Sequence, residues 1–156
     1  DTYIDKEAMI NDEIDKLRHA ATTALLTRKD VIIVASVSCI YGLGAPEEYS
    51  KNIVHLKVGD QIERKEFSRQ LIHMQFTRTN ADLKRGTFRL RGDNWEVMPP
   101  FEETIYNFHL VAGKIKEIFL IDPVKGFQPD ETPKTTEIII SPARHFITLG
   151  AKKQRP

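Results

Sequence analysis

The segment spanning residues 30–49, DVIIVASVSCIYGLGAPEEY, constrains the fold of this chain more than any other. Val31, Ile32, Ile33, Val34, Ala35 and Val37 form a nearly continuous apolar run with no period of two. Such a run predicts a strand covered on both faces, as in the parallel sheet of an α/β protein. A Ser- and Gly-rich loop follows, after which Pro46, Glu47 and Glu48 suit the first turn of a helix. A parallel strand needs parallel neighbours, and no other segment reads as one. The segment therefore points to a nucleotide-driven motor of which most is missing. Its lone strand is expected to self-associate or to pack in a non-native way.

Composition narrows the class. With 156 residues, 40% apolar and 29% charged, the chain amounts to one ordinary domain, or one domain and a piece of another. No apolar run approaches about 18 residues and there is no signal-peptide core, which argues against membrane insertion and secretion. Cys39 stands alone, so no intrachain disulfide forms and a reducing, cytoplasmic setting fits best. Asp at the first position fits an excised or processed segment. Net charge is only +1, but residues 61–91 carry eight basic and three acidic side chains, a local +5. Residues 92–137 carry four basic and nine acidic ones, a local −5. This asymmetry points to a polar partner steered onto the basic side. The alternative is a solvated surface with accidental clustering.

Ile10, Ile14, Leu17, Ala21 and Ala24 lie on one face of an amphipathic helix, with Asn11 as N-cap and Thr27 near its end. A strand over 53–58 and a helix over 63–75, marked by Phe67, Leu71 and Met74, come next. Beyond Gly86 the chain turns β-rich, with strands predicted over 87–91, 95–98, 105–112, 115–121 and 137–140. Short connections at Gly92-Asp93 and Ala112-Gly113-Lys114 predict an antiparallel meander, and 123–134, with its prolines, reads as a loop. The fold class expected is α+β: a helix and buried strand from an α/β domain, then one or two helices packed on the meander.

The hairpin at Gly92 can be worked out residue by residue. Gly first in a two-residue loop suits a type II′ turn. Counting outward pairs Arg91 with Asn94, Leu90 with Trp95, Arg89 with Glu96 and Phe88 with Val97. Leu90, Trp95, Phe88 and Val97 then bury together, while Arg89 and Arg91 share the other face about 6.6 Å apart. Two guanidiniums so placed form a fork for carboxylates or phosphates. The competing reading is a pair of exposed arginines, with Arg89 absorbed by Glu96 across the strand.

Catalytic signals are sparse. There is no G-x-x-x-x-G-K-[ST] phosphate loop, and Gly42-x-Gly44 is a bare turn signature. His19, His55, His73, His109 and His145 lack metal-ligand spacing. Ser36 and Ser38 do not form a nucleophile elbow. Asp12, Glu13 and Asp15 suit a solvated helix start. Nothing here composes a complete enzyme.

The stretches DTYIDKEAMINDEIDKLRHAATTALLTRKDVIIVASVSCIYGLGAPEEY, VGDQIERKEFSRQLIHMQFTRTNADLKRGTFRLRGDNWEVMPP and SPARHFIT resemble the UvrB family, subunits of the bacterial nucleotide-excision-repair endonuclease. The resemblance covers nearly the whole chain, and SVSCIYGLG and RGTFRLRGD carry it most specifically. It implies a helicase-like ATPase that receives damaged DNA from UvrA, verifies the lesion and recruits the incision nuclease UvrC. Residues 1–49 would then be a fragment of the first ATPase domain, 50–142 an inserted UvrA-interaction domain, and 143–156 a return segment. The resemblance places Tyr3, Ser36, Ser38 and Tyr41 near bound DNA, with a core aromatic as the alternative for Tyr41. It maps the UvrA-contacting arginines onto Arg78, Arg89 and Arg91, with Lys84 and Arg85 adding steering. ATP and magnesium would belong to the longer protein, leaving this segment without a cofactor.

One stretch departs from the family. Its members carry an Arg and a Glu in the strand corresponding to 106–111, where this chain reads Tyr-Asn-Phe-His-Leu-Val. Two functions from different classes follow: a module docking an acidic UvrA surface, or a nucleic-acid binder using the same arginines on phosphate. No aromatics interleave with those arginines as single-strand binding requires, which favours docking.

Overall fold

A computed structural model describes residues 13, 14, 16–18, 20–22, 24, 25, 28–35 and 51–143. The chain divides into two compact units, one of Asp1–Lys51 with His145–Pro156 and one of Asn52–Arg144.

In the first unit the described residues between 13 and 25 are helical, as the apolar spacing predicts. Of the predicted apolar face, Ile14 and Leu17 are exposed, Ala21 and Ala24 are partly buried, and Ile10 lies outside the described residues. The buried strand expected at 31–37 is corrected by its described part. Residues 31–35 form no strand, and Ile32 and Val34 are 93% and 95% exposed. The physical reason lies in the run itself. An all-apolar strand is stable only between parallel neighbours, and none pairs with it among the described residues. Tyr3, Ser36, Ser38 and Tyr41 lie outside the described residues, as do Asn11 and Pro46.

The second unit contains eight strands and a helix: β1 (Val54–Lys57), α1 (Arg64–His73), β2 (Thr77–Arg78), β3 (Thr87–Arg91), β4 (Asn94–Met98), β5 (Ile105–Val111), β6 (Lys114–Ile121), β7 (Lys134–Thr135) and β8 (Glu137–Ile140). Six of them form a sheet in the order β2-β3-β4-β5-β6-β7, and β1 pairs with β8 as a separate ribbon. All pairings are antiparallel except β2 with β3. The meander β3–β6 matches its prediction closely. The short strands β2 and β7 have no sequence signal of their own, being two residues long and added to the sheet edges.

The turns follow from backbone chemistry. Gly92 has φ +60° while Asp93 stays out of the left-handed region, the signature of a type II′ hairpin. The register is the one counted from the sequence, Arg91 to Asn94 through Phe88 to Val97. At the β5–β6 turn, Ala112 (φ 52°) and Gly113 (φ 78°) are both left-handed, which makes a type I′ loop.

Phe88, Trp95, Val97, Phe108 and Ile118 point to one side of the sheet and are fully buried. Helix α1 covers this side through Phe67, whose ring meets Trp95 edge-on at 4.9 Å and Phe108 at 5.8 Å. Glu63 caps the helix by accepting hydrogen bonds from the Glu66 and Lys65 amides at 2.7 and 3.2 Å. Those amides hold its carboxyl below the usual range. Arg64 then reaches the hairpin tip, donating to the Gly92 carbonyl at 3.1 Å and pairing with Asp93 at 2.5 Å.

The helix ends without glycine. Gln75 takes φ 70°, its amide donates to the Ile72 carbonyl, and the Phe76 amide donates to the Leu71 carbonyl. That closure calls for glycine at position 75, because a Cβ is unfavourable in the left-handed region. Gln75→Gly is therefore expected to stabilise the domain by about 1 kcal/mol. Urea unfolding measures this, and a lowered midpoint would contradict the assignment.

Candidate functional site

The meander offers one face to α1 and the other to solvent. On the solvent face, pairing aligns Arg89, Glu96, Asn107 and Phe119 in one row across β3–β6. A second row holds Arg91, Asn94, His109 and Glu117. Rows of directly opposed residues share a side because side chains alternate along each strand. Strand β5 contributes Asn107 and His109 to this face. His109 Nδ1 lies 3.1 Å from Asn94 Oδ1.

The predicted arginine fork resolves into two different arginines. Arg89 pairs through Nε and Nη2 with the Glu96 carboxylate, and both side chains are largely buried, at 15% and 14% exposure. Its third arm, Nη1, donates to the Ala81 carbonyl at 3.0 Å. Hydrogen bonding to Glu96, aided by the Glu96 and Asp82 charges, holds the Arg89 guanidinium above its ordinary pKa. Of the two readings left open by the sequence, absorption by Glu96 is the one observed. Arg91 differs: it is exposed at the end of β3 and has no ion pair or side-chain hydrogen bond among the described residues.

Arg78 is also exposed and unpaired among the described residues, but it does not join the other two. The parallel register of β2 with β3 sets it beside Phe88, on the α1 side at the sheet edge. The three arginines therefore do not converge on one face. Several other cations of the basic window are engaged at home, Arg64 with Asp93 and Arg85 with Glu103 at 2.7 Å. The free positive charge is smaller than the sequence count of +5 suggests.

Sequence reasoning missed Ala81 as a partner of Arg89, since a backbone carbonyl eight residues away leaves no pattern. It also missed the aromatic contact at the far end of the face, where Phe127 from the 123–134 loop meets Phe119 at 5.1 Å. Two open depressions, about 500 Å³ between β1 and α1 and about 390 Å³ beside the 122–133 loop, include neither Arg89 nor Arg91 in their linings. Among the described residues no group of three His, Cys, Asp or Glu side chains is placed to hold a metal ion. No helix among them is long and apolar enough to cross a membrane.

The domain is a sheet backed on one face by a helix, with the Arg89–Glu96 pair largely buried on the other face and Arg91 exposed at its end. The family description "UvrB interaction domain" matches residues 54–146. UvrABC system protein B of Leptospira biflexa is 47% identical over 152 residues, covering 97% of this chain and 22% of the relative. Its counterparts in Chloroflexus aggregans and Dehalococcoides mccartyi are 48% and 49% identical, covering 99% and 97% of the chain and 23% and 22% of the relatives. The chain belongs to the UvrB family and spans about a fifth of the length of these curated relatives. The matched region is an interaction domain by that description.

Proposed function

We propose that residues 50–142 dock UvrA, with an acidic UvrA surface meeting the sheet face at Arg91 and the β2 edge at Arg78. The observation that carries this reading is Arg91, an exposed guanidinium at the end of β3 with no partner among the described residues, within a matched UvrB interaction domain. Arg89 supports docking by locking β3, β4 and the Ala81 loop together. In this reading the segment has no catalytic role and no cofactor of its own, ATP and magnesium being handled by other parts of the longer, cytoplasmic protein. Tyr3, Ser36, Ser38 and Tyr41 lie along damaged DNA there, and UvrC is engaged through other segments.

Separate titrations of the chain with purified UvrA and with DNA test the proposal. Saturable UvrA binding with weak DNA binding is the expected result. Tight DNA binding that falls steeply with salt would instead support phosphate recognition by the same arginines.

A further inference from the structure

The face that carries Arg91 does not end at β4. Pairing continues from Asn107 to Phe119 and from Phe119 to Lys134, so one side of the sheet runs unbroken from the arginines to the β6–β7 edge. There Phe127 leans edge-on against Phe119 at an interplanar angle of 88°. Lys134 Nζ sits 5.0 Å from the Phe119 ring centroid and 2.9 Å from Glu117. Phe127 nevertheless remains 52% exposed, and Val124 in the same loop 93%. Phe127 is oriented against the partly buried Phe119 yet itself remains half exposed. Such a group loses little freedom on contact and still has a large apolar area to remove from water.

We propose that the docking face extends to this aromatic end, and that UvrA meets Phe127 with an apolar side chain. The contact lies about 14 Å, three strand spacings, from the strand that bears Arg91. The proposal rests on the docking reading above and specifies the chemistry of the partner surface: carboxylate at the β3 end, apolar at the β6 end. Continuity of the pleated face selects UvrA as the occupant, since a partner seated on Arg91, Asn94 and His109 reaches β6 within the width of an ordinary interface.

Titration of UvrA with the full chain and with Phe127→Ser and Arg91→Gln, each at low and high salt, tests it. Phe127→Ser is expected to weaken binding about tenfold with the salt dependence unchanged, because aromatic anchors act through desolvation. Phe127→Leu is expected to restore most of the loss. Arg91→Gln is expected to weaken binding and flatten its salt dependence. Wild-type affinity in Phe127→Ser, with Arg91→Gln impaired, overturns the extension and leaves the docking reading standing. Wild-type affinity in Arg91→Gln counts against the docking reading itself. Self-association of the chain that Phe127→Ser abolishes, with UvrA binding intact, assigns the patch to a second copy and likewise overturns the proposal.

Discussion

Charge reversal at Arg91, as Arg91→Glu, is expected to weaken UvrA binding at least tenfold while leaving the thermal midpoint of the chain unchanged. Arg91 is exposed and has no partner among the described residues, so its replacement removes no hydrogen bond or packing described for the free domain. In the complex the reversed charge faces carboxylates, and juxtaposed like charges cost several kcal/mol. Arg89→Ala is a different experiment although the two residues are neighbours on one strand face. It strands the Glu96 carboxylate at 14% exposure and releases the Ala81 carbonyl. A loss of stability of about 1–3 kcal/mol is expected, as for a charged hydrogen bond removed from a mostly buried site. Calorimetric titration and thermal melts of both variants separate the roles. Unchanged affinity in Arg91→Glu would refute the assignment of Arg91 as the contact.

Trp95→Ala is expected to destabilise the interaction domain by about 3–5 kcal/mol. That is a large part of the 5–15 kcal/mol typical of a whole domain. Trp95 is fully buried and touches three rings: Phe67 from the helix, with Phe88 and Phe108 stacked beside it at 6.1 Å each. Removing it opens a cavity at the point where helix and sheet meet. Trp95→Phe is expected to cost much less. The smaller ring leaves a smaller void, and the indole Nε1, buried here without a hydrogen-bond partner, is no longer desolvated for nothing. Urea unfolding followed by circular dichroism measures both variants. Equal losses for alanine and phenylalanine would show that the ring stack is not what holds α1 down.

Much of this architecture was legible because local chemistry determined it. The Gly92 hairpin is specified by one glycine and four alternating pairs, and its register was recovered residue for residue. The boundaries of β3 and β8 likewise coincide with those read from apolar patterning. What was illegible depended on partners distant in sequence. The 31–37 run reads as a buried strand because its composition demands cover, yet composition carries no information on whether the covering strands are present. The pairing of β1 with β8 joins residues eighty or more positions apart and leaves no local signature. At the candidate site, spacing placed Arg89 and Arg91 on one face but could not choose between display and absorption. The choice fell to Glu96 and to a backbone carbonyl. Arg78 was grouped with them by resemblance, while the parallel β2 register turns it to the other side.

The β1–β8 ribbon sets how the domain responds to force. Val54 opposes Ile140 at one end, and Lys57 opposes Glu137 at the other. The chain thus enters and leaves at the same end of the ribbon, and tension applied through both connections pulls the two strands apart from that end. Its hydrogen bonds open one after another, as a zipper, rather than sharing the load in shear.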